Sequence, residues 1–234
     1  MQESPNAFQL ALALVAGMDA DLLEIIGLSL HVSLSALVIA CLIGLPLGAL
    51  LAVSRFRGRS AVLIALNALM GLPPVVVGLI VYLHLSRAGA LGWLGLLYTP
   101  TAMIIAQTIL IAPIIAALSR QILEDLHDEY AEQFRSLSVP AHTMMSALIW
   151  DARFSLLTVA LAGFGRAIAE VGAVIIVGGN IAHLTRVMTT AIALETNRGD
   201  LPLALGLGII LVALSILVNA TAQLVQEAAR HAGA

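Results

Sequence analysis

Four stretches of this chain, residues 25–54, 60–86, 88–119 and 201–226, run for 26 to 32 residues without an Asp, Glu, Lys or Arg. A bilayer core is about 30 Å thick and takes about 20 apolar residues in helical form to cross. Inside it every backbone N–H and C=O must find a partner within the segment, which a helix provides. A fifth stretch, 154–177, is apolar except for Arg166 and Glu170. Composition agrees: 60% of residues are hydrophobic and 11% charged, against about 45–50% and 25% in soluble domains. The expected fold is an all-α integral membrane protein. Its spans fall at about 25–54, 60–86, 99–119, 154–177 and 201–226, forming one transmembrane domain over 25–226. Residues 1–24 lack the basic start of a removable signal sequence. Within them, 8–15 is too short to cross and is expected to lie in the membrane plane; if it crosses, the spans number six. Residues 227–234 form a short tail.

All 11 basic residues are arginine, and the chain has no lysine. That excludes a Walker A phosphate loop and a Schiff-base enzyme. A net charge of −3 without a basic block gives no footprint for nucleic acid. The single cysteine, Cys41, lies in an apolar run and cannot form an internal disulfide or a Cys-based zinc site. The six histidines, at 31, 84, 127, 142, 183 and 231, show no metal-ligand spacing. No cofactor, metal or catalytic residue is therefore assigned. An intramembrane enzyme would have only Arg166 and Glu170 as a candidate pair, and a secondary transporter acting alone would show more spans or an inverted repeat.

Basic residues accumulate in cytoplasmic loops. With the N-terminus outside, the inner segments hold Arg55, Arg57, Arg59, Arg120, Arg135, Arg153 and Arg230, and the outer ones hold Arg87, Arg186 and Arg198. That balance places the N-terminus outside and the C-terminus inside. The 120–153 segment is then cytoplasmic, and it is too long for a plain connector. Its early part, 124–137, has no proline or glycine and is expected to form one or two short surface helices.

This segment resembles the cytoplasmic motif of permease subunits of ABC importers: Glu-Ala-Ala, three residues, Gly, nine residues, then Ile-x-Leu-Pro. The matching residues are Glu132-Gln133-Phe134, Ser138 at the glycine position, and Leu148-Ile149-Trp150-Asp151. The first Glu and the spacing survive; the alanines, the glycine and the final proline do not. Further likeness, to the permeases of tungstate importers, lies in Met70-Gly71-Leu72-Pro73-Pro74, Tyr98-Thr99-Pro100, Arg166-Ala167-Ile168-Ala169-Glu170-Val171-Gly172-Ala173, Gly178-Gly179-Asn180-Ile181 and Thr185-Arg186-Val187-Met188-Thr189-Thr190. Molybdate and sulfate permeases share the last pieces more loosely. The resemblance implies a type I importer permease in a bacterial inner membrane. It would act as a homodimer with a cytoplasmic ABC ATPase and a periplasmic substrate-binding protein, moving an oxyanion by alternating access: tungstate, or alternatively molybdate, sulfate or another small anion. It also implies a coupling helix within 132–145 that docks on the ATPase, with Glu132, Phe134, Arg135 and Ser138 as contacts.

Other residues suggest a substrate path. Arg166 and Glu170 lie four apart, so on one helix they share a face, and charges inside a span are costly unless paired or facing a wet cavity. They read either as a path-facing pair or as an internal salt bridge. Pro73 and Pro74 interrupt the second apolar run, and such breaks point to transporter paths or to simple kinks. Thr189 and Thr190, with Thr185, Asn180 and Arg186, read as a polar group at the outer mouth or as a solvated loop. Gly44 and Gly48 have the spacing for close helix approach in lipid.

Overall fold

A computed structural model describes residues 7–17 and 20–232, with the side chains of residue 7 and of 228–232 excepted. Parts of the expected N-terminal segment and tail, residues 1–6, 18–19 and 233–234, lie outside the described residues. All regular structure among the described residues is helical: α1 (Ala7–Gly17), α2 (Ala20–Val53), α3 (Arg59–Met70), α4 (Pro74–Leu85), α5 (Pro100–Glu129), α6 (Ala131–Ser136), α7 (Ala141–Asp151), α8 (Arg153–Ile168), α9 (Gly172–Gly178), α10 (Met188–Arg198) and α11 (Leu201–Ala232), with a 3₁₀ turn at Gly92–Leu94. Helices α2, α5 and α11 are each long and apolar enough to cross a membrane unaided. The broken pairs α3–α4 and α7–α8 raise the number of candidate spans to five.

Helix α2 begins at Ala20 and α11 continues to Ala232, each past an expected limit, and three further boundaries differ. The 60–86 run is two helices: Pro73 and Pro74 remove two backbone donors, so α3 stops at Met70 and α4 restarts with Pro74 in its first turn, where a missing N–H costs nothing. The 154–177 run is likewise two helices, α8 and α9, separated at 169–171. Helix α5, in contrast, runs ten residues beyond the expected end of its span. No proline or glycine interrupts 114–129, and Arg120 pairs with Glu124 one turn on, so the helix continues into the expected loop.

The chain forms two compact units. One comprises 1–35, 73–107 and 167–217; the other comprises 36–72, 108–166 and 218–234. In the first, α4 packs along α9. A Cβ on Gly78 would lie 2.8 Å from Ala173 Cα, and one on Gly172 would lie 2.8 Å from Val75 Cγ2, so both helices depend on glycine for their approach. Met103, Val174, Val177, Met188 and Leu207 are fully buried here.

In the second unit, α2 packs on α5 through the predicted glycines. A Cβ on Gly44 would meet Ala112 O at 2.9 Å, and one on Gly48 would meet Ala116 O at 2.7 Å. Small residues let two backbones touch where the lipid supplies no hydrophobic drive. A further cluster of Ala49, Ala52, Leu123, Leu148, Ala152 and Leu156 anchors α7 and α8, which meet at 68°.

Candidate functional site

In the first unit, polar side chains gather at the break between α8 and α9. Glu170 is 4% exposed. It does not lie on a helix with Arg166: Arg166 is in the last turn of α8, and Glu170 lies beyond its end. The Glu170 carboxylate accepts the Ala173 N–H at 3.1 Å and so caps α9. The first N–H groups of a helix lack internal partners and carry partial positive charge, so a carboxylate there is favourable. Thr189 Oγ1 donates to Glu170 O at 2.8 Å, and Gln107 Nε2 donates to Ala167 O at 3.1 Å. Two elements distant in sequence thus satisfy carbonyls that the break frees. A small cavity lined by Ser29, Ser33, Gln107, Glu170 and Thr189 adjoins it, and Gln107 Oε1, which has no protein partner, is buried in this unit.

Thr189 and Thr190 are buried, not part of a solvated face. Thr190 Oγ1 accepts the Val187 N–H at 3.2 Å, closing the start of α10. Ser29 Oγ accepts the Met188 N–H at 2.8 Å and ties that start to α2. Thr185 Oγ1 accepts the Ile181 N–H at 3.0 Å and donates to Gly178 O at 2.5 Å. These hydroxyls replace water for backbone groups at helix ends, as buried polar groups require. Pro73 ends the connection before α4, and Pro74 opens that helix.

Elsewhere in the same unit, His183 Nδ1 lies 2.8 Å from Glu24 Oε2, with Asp21 nearby. The hydrogen bond to Glu24, and then the charges of Glu24 and Asp21, raise the His183 pKa above its ordinary 6.5. Histidine spacing could not foresee this pair, whose members lie 159 residues apart.

In the second unit, the 132–151 motif segment folds as α6, a turn and α7. Val139 N–H bonds Phe134 O at 3.1 Å and Ser138 N–H bonds Arg135 O at 3.2 Å, with Ser138 at φ +49°. That is a Schellman motif, whose left-handed position normally holds glycine. Ser138 stands at the place of the family glycine and makes the same turn. Pro140 then precedes α7. Phe134 packs toward the Leu123–Leu148 cluster, edge-on to Tyr130 at 6.0 Å, so it anchors the segment, while Glu132 and Arg135 are exposed. Tyr130 Oη donates to Asp151 at 2.8 Å, a bond that raises the Tyr130 pKa.

Two arginines missed by the sequence reading hold the base of this region. Arg59 bonds Glu124 Oε1 at 2.6 Å and Leu51 O at 3.1 Å, and Arg120 takes the second carboxylate oxygen. Leu137 and Trp150 are 74% and 71% exposed.

A multi-pass helical protein with interrupted spans and an ordered segment of short helices between two of them has the build of a transporter's membrane subunit. Residues 44–231 match the family described as binding-protein-dependent transport system inner membrane component, and the chain belongs to that family. It is 39% identical to the tungstate uptake system permease protein TupB of Peptoclostridium acidaminophilum over 97% of this chain and 100% of that protein. It is 39% identical to a probable anion ABC transporter permease of Haloferax volcanii, over 85% of this chain and 88% of that protein. It is 35% identical to TupB of Campylobacter jejuni, over 92% and 90%. The chain is thus the inner-membrane permease component of an ABC importer, a transport subunit that works with an ATPase and a binding protein and does not itself hydrolyse ATP.

Proposed function

We propose that this chain is the permease of a tungstate importer, acting as a homodimer that passes the dianion inward by alternating access. The observation that carries the reading is the 39% identity to a tungstate permease along 97% of the chain. The arginine count supports an outer N-terminus and an inner C-terminus. In that orientation α6 and α7 face the ATPase, with Glu132 and Arg135 as contacts and Phe134 and Ser138 shaping the segment. The breaks at Pro73–Pro74 and at Glu170 bound two half-helices, α4 and α9, that pack side by side. Discontinuous helices of this kind surround substrate sites in other transporters. We assign the path to this region, with Arg166 supplying attraction for the anion and Glu170, Thr189 and Thr190 fixing the backbone around it.

Uptake of radiolabelled tungstate and molybdate at nanomolar concentration, with excess sulfate as competitor, tests the substrate in cells lacking this chain, with and without a plasmid copy. Chain-dependent tungstate uptake that resists sulfate is expected. Equal or faster molybdate uptake would assign the second anion, and no dependence for either would remove tungstate from the reading. For coupling, Glu132→Ala with Arg135→Ala is expected to abolish uptake while leaving the protein folded. Wild-type uptake by a normally assembled complex would displace the coupling segment.

A further inference from the structure

The cytoplasmic arginines divide into two groups. Arg59 and Arg120 are held by Glu124. Arg153 donates to Trp150 O at 2.7 Å and lies 4.8 Å and 4.6 Å from the Trp150 and Phe154 rings. Arg55, Arg57 and Arg135 are exposed and have no bonded partner among the described residues. Two of those three, Arg55 from the connection after α2 and Arg135 from α6, line one recess of about 720 Å³ in the second unit. Its other walls include Phe134, Val139 and Met144, and Phe134 and Met144 pack on the Leu123–Leu148 cluster, so the wall is fixed.

The charge in the recess is unbalanced. Asp128 is its one acidic lining residue, and that carboxylate lies 3.5 Å from His127 Nδ1, which also lines the recess. Two guanidiniums face that single carboxylate, which leaves one positive charge in excess. Arginine presents a planar fork of donors that matches a carboxylate in two bonds. Five of the nine lining residues belong to α6 and its turn, so the recess is continuous with the segment assigned above to the ATPase.

We propose that this recess is a socket for a carboxylate side chain on the ATPase subunit, and that Arg55, which lies outside the motif, is a second specificity residue for that partner. The inference rests on the coupling reading of 132–145. It predicts that partner choice depends on the connection between α2 and α3 as well as on the motif loop.

The test uses the permease with its own ATPase in nanodiscs of neutral lipid, reading the dissociation constant of the ATPase subunit. Arg55→Glu and Arg135→Glu are each expected to weaken binding 10- to 100-fold, and the milder Arg55→Gln 3- to 10-fold. Arg57→Glu, in the same connection but outside the recess, is expected to change it less than 3-fold. Reversing acidic residues on the ATPase face one at a time is expected to yield one that restores Arg55→Glu at least 10-fold. Melting temperatures identify any variant that fails to fold, and Arg55→Gln then carries the comparison. Equal effects of Arg55→Glu and Arg57→Glu would overturn the proposal, as would a loss seen only in discs of anionic lipid, which would assign the recess to a phosphate headgroup. If Arg135→Glu weakens binding and Arg55→Glu does not, the socket falls and the coupling reading stands. If neither weakens it, both fall.

Discussion

At the break after α8, freed backbone groups are met by buried side chains: a threonine hydroxyl and a glutamine amide bond carbonyls, and the Glu170 carboxylate accepts a backbone N–H. Near the C-terminal end of α5 the fastening is ionic, with two arginines on one glutamate whose side chain is 26% exposed. Desolvation explains the contrast. Charge taken out of water is expensive unless fully paired, and at the buried break dissolved ions have little access, so salt barely touches its bonds. That cluster is partly exposed, where charge is less costly and screening is effective. The first region should therefore respond to the loss of single hydrogen bonds and ignore ionic strength, and the second should respond to both.

The largest expected effect is at Glu170. Glu170→Ala removes the α9 cap and should destabilise the protein by about 2–3 kcal/mol, within the range for caps and for hydrogen bonds to charged groups. Glu170→Gln retains an oxygen acceptor and should recover most of that loss. Thermal unfolding in detergent at 0.05 and 0.5 M salt checks both, with the same differences expected at each. If Gln is as damaging as Ala, the charge of Glu170 matters more than its cap. Glu124→Gln comes next, at about 1–2 kcal/mol for a partly exposed carboxylate shared by two arginines. Here the cost should shrink at high salt, and a salt-independent cost would erase the contrast between the regions.

The same contrast shows what could be read from the residues. The membrane spans were legible because apolar runs of such length have few other fates in water. The break at Pro73–Pro74 was legible because proline acts locally. The break at 169–171 was not: Arg166 and Glu170 have helical spacing, and the bonds that settle the break come from Gln107 and Thr189, far along the chain. Thr189 and Thr190 read as lining an outer mouth or as a solvated face, because composition cannot distinguish a hydroxyl that meets water from one that meets a backbone. In the 120–153 segment the spacing of the motif located the turn, yet it gave no sign of Phe134 packing on the Leu123–Leu148 cluster or of Glu124 gathering two arginines.

Ser138 offers a smaller test, confined to the second region. A non-glycine residue at φ +49° carries a steric cost of about 1 kcal/mol. Ser138→Gly restores the residue usual at that place in the motif and should raise stability by up to about 1 kcal/mol, less the added freedom of the unfolded chain. Transport should be unchanged, because the backbone bonds of the turn are already formed. A melting temperature that falls would mean that the Ser138 side chain makes a contact of its own.

The smallest effect belongs to the exposed His183–Glu24 pair of the first region, where the ionic rule reappears at the surface. The His183 pKa is raised above 6.5 by its bond to Glu24, so the folded protein holds that proton more tightly than the unfolded chain. The stabilisation is then fully present below pH 6.5 and is lost as pH rises through the raised value. Because the pair is exposed, the change should be slight and should disappear in 0.5 M salt. Melting curves from pH 5.5 to 8.5 are expected to show a small decline across the upper half of that range, absent in Glu24→Gln. NMR titration of His183 should give a midpoint above 6.5 that falls in the same variant. A midpoint at or below 6.5 would break the pairing, and a decline that survives Glu24→Gln would place the responsible group elsewhere, leaving the salt-insensitive break at Glu170 as the only tested half of the comparison.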